Sequence, residues 1–136
     1  MRFVFVLAGL SFVVVPLSPA FAQTWPAYSA EKAGSSELQR CLGDEPSGVQ
    51  EGACLTKEFA REDRRMNESY IESLKGASVA EKLQRKKAQQ AWLVFRRENC
   101  QVRRMNSGSG AGVFYIGCLV RETIQRRSEL TENWDY

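Results

Sequence analysis

Beyond residue 47 the apolar residues recur at steps of three and four, the period of helices that bury one stripe. Leu55, Phe59, Met66, Tyr70 and Leu74 form the first such stripe. Ser47 precedes it as an N-cap and Gly76 follows it as a stop, so the pattern predicts a helix from Ser47 to Leu74 or Lys75. Ser78 followed three residues later by Glu81 is a capping box, and it opens a second helix running to about Arg104. The apolar stripe expected for that helix is Ala88, Trp92, Phe95, Asn99 and Val102. A third helix is predicted after the run Asn106 to Gly110, with Val113, Ile116, Val120 and Ile124 facing inward. A short turn or helix around Ser36 to Leu42 precedes all three.

No segment in this part of the chain alternates apolar and polar residues as a strand does, so the fold class expected is all-α. The links at Gly76-Ala77 and at 107–112 are short, which makes the three main helices a small antiparallel bundle. The helical domain is expected to span residues 36–131, between a flexible segment at 23–35 and a tail at 132–136.

Residues 1–22 read differently. Arg2 is their one charge, the stretch from Phe3 to Leu17 is nearly all apolar, and Ala20-Phe21-Ala22 supplies small residues before Gln23. That run is short of the roughly 20 apolar residues of a membrane span, and the pattern is that of a signal peptide cleaved near Ala22. A periplasmic or secreted protein without a membrane span is expected.

Export changes the meaning of the four cysteines, because an oxidising compartment makes and keeps disulfides. Three pairings of Cys41, Cys54, Cys100 and Cys118 are possible, and the wide central gap favours the two local ones, Cys41 with Cys54 and Cys100 with Cys118. Each closes a loop of about 14 to 19 residues and adds roughly 3 kcal/mol of stability in the chain-entropy picture. The chain has no His and no C-x-x-C pair, so neither a metal site nor a cofactor is expected. The missing imidazole also removes Ser-His-Asp and Cys-His catalysis.

The net charge of +3, from 19 basic and 16 acidic residues, is too small to point to nucleic acid. Its distribution is uneven. The second predicted helix carries Lys82, Arg85, Lys86, Lys87, Arg96, Arg97, Arg103 and Arg104 against Glu81 and Glu98, while Asp44, Glu45 and Glu51 lie in an acidic stretch near the first two cysteines. Glu58 and Glu62, four apart on one helical face, could form a carboxylate pair. Such pairs are ordinary on helix surfaces, and the chain is read as a non-enzyme.

Cys54, Glu58, Asp63, Met66-Asn67 and Tyr70, then Ala88-Gln89-Gln90-Ala91-Trp92 with Phe95-Arg96 and Cys100, then Gly108-Ser109, Cys118, Thr123, Arg126 and Leu130, together resemble the LprI-like lysozyme-inhibitor domain family of exported bacterial proteins. The resemblance covers roughly residues 41 to 130. Two positions depart from the family pattern: Arg97 stands where an acidic residue usually follows the arginine, and Phe95 stands where Tyr is common.

The resemblance implies an exported binding protein that occludes a lysozyme or another cell-wall hydrolase. The polar set Asp63, Tyr70, Gln89, Trp92, Phe95 and Arg96 is read as a clamp between helices, with Arg96 reaching Asp63 and with Trp92 and Phe95 entering the core. The candidate partner-binding residues are Asp44, Glu45 and Glu51, which would attract a basic enzyme, and Ser107, Gly108, Ser109 and Gly110, whose backbone can approach closely. The alternative is an envelope-associated module whose basic helix binds anionic glycan or lipid.

Overall fold

The computed structural model describes residues 34–132; the signal peptide expected at 1–22, residues 23–33 and residues 133–136 of the expected tail lie outside the described residues. The described chain is all-helical: α1 (Ser36–Leu42), α2 (Gly48–Ser73), α3 (Val79–Met105) and α4 (Ala111–Thr131), with a 3₁₀ turn at Gly108–Gly110 before α4. Ser35, Ser47 and Ser78 cap the first three helices through their side chains, and the capping box of Ser78 with Glu81 is complete. Gly43 and Gly76 follow α1 and α2 with φ of 62° and 72°, a conformation that costs a residue with a Cβ and stops each helix sharply.

Side-chain contacts give the course of the helices. Arg96 reaches Asp63 and Gln89 reaches Met66, so α3 runs antiparallel to α2. Arg126 reaches Gln89 and Arg96 reaches Thr123, so α4 runs antiparallel to α3 and therefore parallel to α2. Both parallel helices also touch directly, as Arg127 bonds Glu62. The short α1 folds back along α2, tied by Cys41–Cys54 at one end and by Ser35 on Glu58 at the other.

Two apolar groups make the core. Leu38, Cys54, Leu55 and Val120 are buried together, and Cys100, Cys118 and Leu119 form the second group; Phe59 and Ile116 pack against both. The two local disulfides, Cys41–Cys54 and Cys100–Cys118, are formed, and both lie in this half of the bundle. Among the described residues no cysteine is free.

The buried face of α3 differs from the apolar stripe predicted for it. Phe95 is 52% exposed, Val102 and Ala88 also face solvent, and Trp92 and Asn99 are only half-buried. The residues turned inward are Arg85, Gln89, Trp92, Arg96 and Cys100. The Cys100–Cys118 bond, with Cα atoms 5.5 Å apart, sets the rotation. At about 100° per residue Phe95 stands about 140° round the helix from Cys100, so the two cannot both face α4. The covalent link prevails over the apolar stripe, and Phe95 leaves the core.

This rotation predicts unequal costs of truncation. Phe95→Ala is expected to lower stability by less than about 1 kcal/mol, as exposed substitutions usually do. Met66→Ala, at a fully buried position, is expected to cost about 2 to 5 kcal/mol. Denaturant melts of the two variants measure both.

Candidate functional site

The inward face of α3 builds a polar centre for the bundle. The Arg96 guanidinium donates to Asp63 Oδ1 at 2.7 Å and to Thr123 Oγ1 at 2.8 Å, joining all three long helices. Its carbon lies 5.2 Å from the Phe59 ring centroid and 4.8 Å from that of Trp92, within reach of cation–π attraction. Arg126 adds a second guanidinium 5.8 Å from Trp92. It also donates to Gln89 Oε1 at 3.0 Å and to Glu129. Gln89 is nearly fully buried, and its amide nitrogen lies 3.1 Å from the Met66 sulfur. Asp63, Gln89, Trp92 and Arg96 are thus brought together. Phe95 is not among them, and Tyr70 lies further along.

Tyr70 lines a cavity of about 340 Å³ with Ser73, Arg85, Ala88, Arg126, Glu129 and Leu130, between the end of α2, the start of α3 and the end of α4. The charged groups around it are engaged. Arg85 donates to the Ser73 carbonyl, which lies in the last turn of α2, and Arg126 pairs with Glu129.

Glu58 and Glu62, expected on the surface, are buried at 0% and 2% exposure. Burial of a carboxylate requires partners, and each oxygen has one. Glu58 Oε1 accepts from Ser35 N at 2.9 Å; its Oε2 accepts from Ser35 Oγ at 2.8 Å and from Arg61. Glu62 Oε1 accepts from Arg65 at 2.8 Å and Oε2 from Arg127 at 2.9 Å. With their oxygens taken, neither carboxylate is placed to accept a proton from a substrate. Their role is mechanical: Glu58 fastens the start of α1 to α2, and Glu62 fastens α4 to α2. Ser35, assigned by sequence to the flexible segment, belongs to the fold as the cap of α1. The signal that could have found these carboxylates is their register. Glu58 follows Leu55 by three, and Glu62 follows Phe59 by three and precedes Met66 by four, so both fall on the apolar stripe itself.

The candidate partner-binding residues lie at the disulfide end. Because α3 is antiparallel to α2 and α4, the turn at 43–47, the end of α3 and the start of α4 come to that end together, where Gly52 of α2 faces Val113 of α4. Asp44 and Glu45 are exposed, and Glu51 is half-buried in the first turn of α2. Ser107 caps back onto the Arg103 carbonyl, and Gly108–Gly110 forms the 3₁₀ turn, so the glycine-rich link is a wound connection rather than an open loop. Gly108 takes a φ of 53°. Val49 and Phe114 stand exposed at the same end, at 87% and 59%; the sequence reading singled out neither. Among the described residues no group of acidic or sulfur ligands is gathered as a metal site, and no helix is long and apolar enough to cross a membrane.

Burial pushes the Glu58 carboxyl up, but the hydrogen bonds from Ser35 and the Arg61 charge outweigh it and hold the group below its ordinary value. A depressed folded-state pKa adds stability above the unfolded value of about 4.3 and loses it as pH falls through the folded value. Glu58→Gln is therefore expected to reduce stability at pH 7 and to flatten the loss of stability on acidification below about pH 4. Melting temperatures of both proteins across that range check the sign.

No curated protein and no solved structure matches the chain. A family model does: the model described as lysozyme inhibitor LprI matches residues 29–130. That span takes in every helix but the last residue of α4, both disulfides and the Arg96-centred contacts, and the chain belongs to the LprI lysozyme inhibitor family.

Proposed function

We propose that the protein acts after export as a binding protein that occludes the cleft of a lysozyme or a related cell-wall hydrolase with the disulfide-held end of its bundle. The observation that carries this reading is the convergence of two segments far apart in sequence, 43–51 and 106–114, at one end tied by both disulfides. Membership of a family named for lysozyme inhibition supports it. A rigid end suits occlusion because little conformational freedom is left to lose on binding. Phe114 and Val49 offer apolar anchors, and exposed Asp44 and Glu45 offer attraction to a basic enzyme. The apolar leader at residues 3–17 supports export.

The competing reading, anionic glycan or lipid on the basic helix, keeps exposed Lys82, Lys86 and Lys87. It loses Arg85, whose guanidinium is held by the Ser73 carbonyl.

Cell-wall lysis by a basic lysozyme, followed with and without the purified mature protein, tests the proposal. Replacing Asp44, Glu45 and Glu51 together by their amides is expected to lower the association rate by about tenfold at low salt, with the gap closing as salt screens the charges. Phe114→Ala is expected to speed dissociation instead. Undiminished lysis at saturating protein would overturn inhibition of that enzyme. Loss of binding on neutralising Lys82, Lys86 and Lys87 alone would favour the anionic-surface reading.

A further inference from the structure

The rotation that takes Phe95 out of the core leaves the outer face of α3, which mixes apolar and polar residues, uncovered. Leu83, Val94, Phe95 and Val102 are each about half exposed, and Met105 is 76% exposed. Between Ala80 and Met105 this face runs about 38 Å at about 1.5 Å per residue. Its central residues Lys87, Ala91, Val94 and Glu98 recur at steps of four and three, the spacing of a coiled-coil seam, two of them apolar and two of opposite charge. No helix of the described fold covers it, since α2 and α4 both pack on the opposite side.

The order of residues along the seam identifies what fits it. Read in the two directions from a point between Trp92 and Leu93, the seam is complementary to itself. We propose that two copies of this chain pair antiparallel through the outer faces of α3, about a two-fold axis at that point. Most layers then join unlike partners. Lys87 meets Glu98 of the second copy, twice by symmetry, and small Ala91 meets the larger Val94 across the axis. Ala80 meets Met105 at the outer ends, Gln84 meets Gln101 between them, and exposed Phe95 leans over Ala88. Opposite charges therefore face each other, and small residues face large ones, as a packed isologous interface requires. Among the described residues Glu98 is engaged with its neighbour Arg97, both side chains being more than half exposed, and such a surface pair exchanges partners at little cost. The disulfide-held ends of the two copies would stand at opposite poles of the dimer, with Met105 marking the edge of the interface at each.

Sedimentation equilibrium of the purified mature protein tests the inference, and its outcome does not depend on whether any lysozyme is inhibited. The mass is expected to rise from monomer towards dimer with concentration. Lys87→Glu alone and Glu98→Lys alone each bring like charges together twice, and each is expected to weaken the dimer on the order of tenfold. The double variant restores opposite charges and is expected to return the affinity to that of the parent. Val94→Glu, beside the axis, is expected to leave a monomer that melts as the parent does at dilution, because Val94 is exposed in the single chain. A monomer mass at every concentration overturns the proposal. A dimer that ignores Val94→Glu, or a double variant as weak as the single ones, overturns the face or the register.

Discussion

The arrangement of the bundle depends on the rotation of α3 about its own axis, which the Cys100–Cys118 bond sets. With Cys100 held against α4, the inward arc of the helix is made of Gln89, Trp92 and Arg96 rather than of its most apolar residues. A buried guanidinium and a buried amide must then be met by polar groups on the facing helices. Asp63 on α2 and Thr123 on α4 meet Arg96, and Arg126 on α4 meets Gln89. The motif residues of α3 are thus bonding residues first, and the aromatic rings of Phe59 and Trp92 complete the seat of the guanidinium.

The two halves of the bundle are consequently held by different physics. Around the disulfides the contacts are apolar, from Leu38, Leu55, Leu119 and Val120. Further along, the helices are joined by directional bonds among Glu62, Asp63, Arg96, Arg126 and Arg127. Breaking one partner of a buried pair leaves an uncompensated charge, so such contacts specify one geometry even where they add little net stability. Glu58 extends the same device to α1, a helix too short to hold its position by itself.

For a binding protein this division has a use. The cross-linked end keeps the turn at 43–47 and the 3₁₀ turn at 108–110 in fixed relation. The basic character of α3 is also smaller in effect than its composition implies, because Arg96 pairs its charge with Asp63 between the helices.

The number, order and limits of the helices were legible in the sequence, because caps, glycines and the three-to-four period act within a few residues of where they stand. Ser47, Ser78 with Glu81, and Gly76 mark ends that the structure has within a residue or two. The local disulfides were legible too, from the order of the cysteines. The rotation of α3, the burial of Glu58 and Glu62 and the exposure of Phe95 were decided only by the tertiary structure. Each depends on a partner 18 to 65 residues away, Cys118 for Cys100, Ser35 for Glu58 and Arg127 for Glu62. Hydrophobic periodicity has no term for a cross-link or for a carboxylate that burial makes acceptable once its bonds are filled. It assigns the apolar side of a helix to the core, and in α3 the cross-link turned that side to solvent.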